Sequence, residues 1–229
     1  MRAYQGWSQN QILDIKLMFK HVFYPQLMIA SSWNGNVDLT QIDALISIAV
    51  FNDDEAAFNI AIKRLEQRTP AYFYLSSDGK SAKIITGYGG NIERFWSNPT
   101  QWLTGLTQET CRDNGHHSQY RLASALHVAE VAWNQGVDVY TEYQTRYTSA
   151  MELMAKQLLS NNFFTCKNTK ASLNYFNTWE IGFNHYHNRK GLTLPYTQEL
   201  IMKKIRPESI RTSWNIVYET LTHANFPKP

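Results

Sequence analysis

The stretch TQIDALISIAVFNDDEAAFNIAIKRLEQ (40–67) decides the fold class. Its apolar residues recur at helical spacing, and in the second half Phe58, Ala61, Ile62 and Leu65 fall on one face. Thr40 is read as opening a helix that runs through Phe51, and Asp53 as capping the next, which runs to about Gln67. The link between them is so short that the two helices must form an antiparallel hairpin.

The same period extends in both directions. Ser8 is an N-cap signal, followed by Ile12, Leu13, Ile15, Leu17, Met18, Val22 and Phe23 on a stripe that should bend or stop near Pro25. SSWNGNVD (31–38) contains an Asn-Gly pair and reads as a turn. Helical spacing returns near His117, runs to Asn134, breaks at Gln135-Gly136 and resumes from Asp138 to Leu159. After a loop over 160–170, helices are expected over about 172–189, 197–204 and 207–223, the last with Pro207 in its first turn. Between Pro70 and Pro99 the runs AYFYL and AKIIT flank Ser-Ser-Asp-Gly-Lys and predict a small β-hairpin-like excursion. The expectation is a single all-α domain over residues 1–229, built as a curved array of helix pairs, without a solenoid sequence repeat.

Composition narrows the function classes. The 22 Lys+Arg against 19 Asp+Glu give +3 with no block of like charge, which excludes a polybasic nucleic-acid binder. No apolar run reaches the ~18–20 residues of a membrane span. The start, MRAYQGWSQNQ, lacks a basic-then-apolar leader pattern, so the chain is expected to be cytoplasmic or a processed form. Cys111 and Cys166 either pair in an oxidising compartment or remain thiols. An aromatic fraction of 14% on a chain with only 18% charged residues suits a thick core or a carbohydrate groove.

Two polar clusters stand out. CRDNGHHSQYR (111–121) places Arg112, Asp113, His116, His117 and Gln119 at a helix entry, more hydrogen-bonding groups than capping requires, and suits a carboxylate-bearing ligand. WEIGFNHYHNRKG (179–191) contains Asn184, His185, Tyr186 and Arg189. Tyr186 and Arg189 lie three apart, so the guanidinium would favour phenolate and make Tyr186 a proton-transfer residue. His185 and His187 cannot share a helix face. His127 and Glu130 are also three apart, but no His-Glu-x-x-His or paired-Cys spacing is present, and neither a metal nor any other cofactor is expected.

Three segments, SSWNGNVDLTQIDALISIAVFNDDEAAF (31–58), QETCRDNGHHSQYRLASALHVAEVAWNQGVDVY (108–140) and WEIGFNHYHNRKGL (179–192), resemble in order the central blocks of the alginate lyase superfamily of polysaccharide lyases. The resemblance implies an incomplete (α/α) toroid and metal-independent β-elimination on a uronic-acid polysaccharide, alginate first and glucuronan or another polyuronate next. It places Tyr186 on the catalytic tyrosine and the His116-His117 pair on the group that neutralises the sugar carboxylate, with Arg189 or Arg112 as the assisting cation. Trp33, Asn34, Asn36, Arg112, Asn184, His185 and Gln119 become substrate contacts. The partner is then an acidic polysaccharide, with no nucleic acid and no membrane. The state expected is a monomer or weak oligomer, located in the periplasm or secreted. A catalytically inactive acidic-saccharide-binding module is the alternative from another class.

Overall fold

A computed structural model describes residues 5–29, 31, 34–86, 88–169, 175–207 and 218–224. Helix α1 (Gln9–Met18) begins with a capping box between Ser8 and Gln11. It passes through π-helical turns (Phe19–Phe23), where the Tyr24 N–H reaches back to the Phe19 carbonyl, into a short turn (Tyr24–Leu27) that accommodates Pro25 at its start.

Helix α2 (Gly35–Asn52) starts five residues before the expected Thr40. Asn34 is its N-cap, accepting the Val37 N–H at 3.4 Å, so the Asn-Gly pair begins a helix and is not a free turn. Gly35 is required by its surroundings. A Cβ there would collide with the Arg121 guanidinium, the Gln108 amide and the Tyr72 ring.

Asp53 takes a left-handed conformation (φ 58°) and ends α2, while Asp54, one residue later than expected, caps α3 (Glu55–Tyr72). The two helices form the expected antiparallel hairpin. It is locked by Asp38, which is fully buried and receives Arg64 at 2.7 Å, Arg68 at 2.6 Å and the Tyr72 hydroxyl at 2.8 Å.

The β-hairpin expectation is corrected. Among the described residues there is no strand, only one antiparallel bridge between Phe73 and Thr107. Helix α3 continues through Pro70, and the short extended piece after it pairs with residues 105–108, as in Tyr74 N–H to Leu106 carbonyl at 2.9 Å. AKIIT is therefore left unpaired. Tyr74 instead packs with Trp96, Leu106 and Trp102 in a small separate cluster, and Arg146 clamps Asp78 with two hydrogen bonds of 2.6 Å.

Helix α4 (His116–Asn134) is the central element, buried on nearly all sides through Leu122, Ala125, Leu126, Val128, Ala129 and Ala132. It forms a second hairpin with α5 (Gln144–Ser160). Two contacts fix how the hairpins stand. The Thr40 and Ser124 hydroxyls meet at 3.2 Å, and Asp43 meets His127 at 3.4 Å. Contact advances by the same step on both helices, so α2 and α4 run parallel and their first turns lie at the same end.

The chain then adds α6 (Glu180–Phe183, continued by π-helical turns Asn184–Arg189), α7 (Pro195–Leu200, continued by Ile201–Ile205) and α8 (Glu219–His223). Trp179 ends the irregular stretch before α6, so the helix expected from 172 starts later, and the start expected at Pro207 leads into residues outside those described. Cys111 and Cys166 are joined as a disulfide, with 5.1 Å between their Cα atoms.

Candidate functional site

The shared end of α2 and α4 opens into a cleft of about 410 Å³. One wall is Asn36, Val37, Thr40 and Gln41 from the first turns of α2. The other is His116, His117 and Tyr120 from the first two turns of α4. On each helix these positions fall on one face because residues four apart are stacked neighbours. The sequence motifs at 31–38 and 111–121 thus meet through the parallel packing.

The His wall is built by a sharp reversal. A short turn (Thr110–Asp113) is followed by Asn114 (φ 52°) and Gly115 (φ 90°), both left-handed, and α4 begins at once. Asp113 Oδ1 accepts the His117 backbone N–H at 3.1 Å, and its Oδ2 pairs with His117 Nδ1. One carboxylate therefore caps the helix and fixes the imidazole, which directs acid–base chemistry to Nε2. His116 sits beside it with ring centres 5.2 Å apart. Burial lowers the His116 pKa, with His117 and Arg112 acting in the same direction and Asp113 opposing, so His116 is neutral near pH 7.

Beneath the cleft, Glu109 accepts Arg112 at 2.7 Å, pairs with the fully buried Arg121 and receives the Asn36 N–H at 3.4 Å. This carboxylate brings negative charge to the α2 N-terminus, where the helix dipole favours it. Arg121 also lies over the Tyr72 ring at 5.5 Å. On the α2 wall, Asn36 Oδ1 and Gln41 Oε1 are buried and have no hydrogen-bond partner among the described residues.

The second polar cluster lies elsewhere. Tyr186 and His185 pack on Tyr140, whose hydroxyl bonds Leu126 and Glu130 near the far end of α4, and Arg189 makes a two-pronged pair with Glu130 at 2.8 and 3.1 Å. Along a helix, His116 and Glu130 are separated by about 20 Å at 1.5 Å per residue. The expected partnership of Tyr186 and Arg189 with the His pair is therefore corrected.

Tyr186 is fully buried, and its hydroxyl donates to the Tyr140 carbonyl at 3.1 Å. Burial drives its pKa far above the ordinary phenol range, with Tyr147 and Asp138 adding to the effect. The phenolate expected from Arg189 is disfavoured, because Glu130 already engages that cation. His185 is enclosed, stacked on Tyr140 with centroids 3.7 Å apart, and Asn184 donates to the His223 carbonyl at 2.7 Å.

Of the other expected contacts, Asn36 lines the cleft and Asn34 serves as a cap. Arg112 is partly exposed beside Glu109, whereas Gln119 is buried and accepts the Phe176 N–H at 3.3 Å. Trp33 lies outside the described residues. Sequence reasoning missed Gln41 and Tyr120 as cleft residues. Tyr120 carried a signal, since it lies four residues after His116 on the same helix face.

Among the described residues, no group of three or more His, Cys, Asp or Glu side chains is placed to hold a metal ion, and no helix is long and apolar enough to cross a membrane. No protein-family model, no curated protein and no solved structure matches the chain.

Proposed function

We propose that the protein is a lyase that cleaves a uronic-acid polysaccharide, alginate being the first candidate, by metal-independent β-elimination in the cleft between α2 and α4. The observation that carries this reading is that the Asp113-held His117 and Asn36 lie on opposite walls of one cleft, whose volume of about 410 Å³ is enough for a sugar ring. The parallel first helices of successive hairpins support a toroid of the kind the sequence resemblance implies.

Removing H5 of a uronate is difficult while the neighbouring carboxylate is fully negative. Asn36, His116 and Arg112 would shield that charge. His117 Nε2 then takes the C5 proton, the C–H pair becomes the C4=C5 bond, and the C4–O bond breaks with its pair leaving on oxygen. The imidazolium formed at His117 returns the proton to that oxygen, which one group does when both leave from the same ring face. This gives His117 the acid/base role that the resemblance implied for Tyr186.

Incubation with mannuronan, guluronan and glucuronan, read by ultraviolet absorbance of unsaturated ends, tests the reading. Product from at least one polymer, lost in His117→Ala, is expected, and no unsaturated product from any of them would overturn it.

The burial of Tyr186 favours a second reading, an acidic-saccharide-binding module without catalysis. It predicts oligouronate binding with no product.

A further inference from the structure

We propose that Gln41 is a specificity-determining residue of the cleft, accepting a hydroxyl hydrogen from a saccharide unit next to the one held at His117. This rests on the saccharide reading above. Gln41 projects from α2 into the cleft, and its Oε1 is buried with no hydrogen-bond partner among the described residues. An acceptor that the protein's own groups leave unpaired is available to a ligand hydroxyl, which takes the place of water at that oxygen on binding.

The surroundings indicate which donor. Val37 and the Tyr120 ring offer apolar surface for the C–H face of a pyranose, and Thr40 is already engaged with Ser124. Asp113 beside the cleft is held by His117, and Glu109 beneath it by Arg112 and Arg121, so neither carboxylate calls for a cationic ligand. A neutral O–H donor fits.

Asn36 Oδ1 is a second unpaired acceptor on the same wall. Five residues separate it from Gln41, a rise of about 7.5 Å along the helix. That exceeds the spacing of vicinal hydroxyls on one ring, so the two amides address neighbouring units of a chain. By the register of Thr40 with Ser124 and Asp43 with His127, Asn36 is the nearer of the two to the level of the His pair, and Gln41 marks the adjoining subsite.

The test is calorimetric titration of the wild type, Gln41→Met and Gln41→Glu with a mannuronate tetrasaccharide and its carboxyl-reduced counterpart, β-1,4-mannotetraose, alongside the elimination assay. Gln41→Met should weaken both ligands by about tenfold, because the lost partner reads a hydroxyl common to both. Gln41→Glu keeps an acceptor oxygen and should hold the neutral ligand within about twofold while weakening the uronate. Binding of the neutral sugar alone, with the loss in Gln41→Met, would sink the uronate reading and leave Gln41 in place. Uronate binding unchanged in Gln41→Met would sink the role of Gln41 and leave the lyase reading intact. A wild type that binds neither tetrasaccharide overturns the subsite. If Gln41→Met does not fold, an unchanged neutral-to-uronate preference in Gln41→Glu overturns it as well.

Discussion

The Tyr186 hydroxyl donates to the backbone carbonyl of Tyr140 at 3.1 Å, and Tyr140 passes its own hydroxyl to Leu126 and Glu130. Tyr186 thus props the far end of α4. Tyr186→Phe should cost about 1 kcal/mol in denaturant unfolding and leave any elimination activity within about twofold of wild type. Loss of product with unchanged stability would return the tyrosine to catalysis.

His117 and Asp113 should behave as a unit. His117→Ala is expected to lower the rate of unsaturated product formation by about 10²–10⁴, with circular dichroism unchanged. Asp113→Asn should lose less, because the amide oxygen still accepts from Nδ1 but no longer stabilises the imidazolium. Equal rates in wild type and His117→Ala would require another base.

Stability should peak at about pH 6–7, and the sign follows from three buried groups. Burial alone would lower the His127 pKa, yet hydrogen bonds to Asp43 and Glu219 raise it from 6.5 to about 10. Its contribution is complete below 6.5 and fades as pH rises through 10. Burial alone would raise Glu130, but His223 and Arg189 hold it near 2, so its contribution is present above 4.5 and lost towards 2. His185 is lowered to about 4 by burial and then by Arg189, so the unfolded chain gains the proton first and stability falls between 6.5 and 4. Melting temperatures across pH 3–10 check this, and His127→Gln should flatten the alkaline limb.

Glu109 pairs with Arg121, a fully buried cation. Removing Glu109 alone leaves that charge uncompensated, so Glu109→Ala should destabilise by about 3–5 kcal/mol. The double variant Glu109→Leu/Arg121→Met should recover most of this, because both charges go together. Additive losses in urea unfolding would contradict the coupling.

The disulfide fastens the turn that bears Asp113 to the 161–166 loop. Reduction, or Cys111→Ala with Cys166→Ala, should lower stability by about 2–4 kcal/mol. A melting temperature indifferent to reductant would show that packing, including Phe163 against Gly115, holds the turn by itself.

What the sequence disclosed depended on how far each cause lay along the chain. The hairpin of α2 and α3 was legible because period and capping are local. The true start of α2 was not, since Gly35 is demanded by Arg121 and Gln108 from distant segments, and Asn-Gly serves equally as a turn or as a cap followed by a first helical residue. The His pair was visible as a polar cluster, but Gln41 became part of the site only through parallel packing on α4. The cluster around Tyr186 misled for the opposite reason. Its polar letters satisfy one another inside the protein, through Tyr140, Glu130 and Arg189, and locally they look the same as a ligand site.

The parallel alignment of α2 and α4 also sets an order of assembly. One wall of the cleft leaves the ribosome early, and residues 53–115 must follow and turn aside before the second wall arrives. No fragment ending before Tyr120 can hold a ligand there. Occupancy should slow amide exchange in the first turns of both helices at once, since neither wall can open without releasing what lies between them.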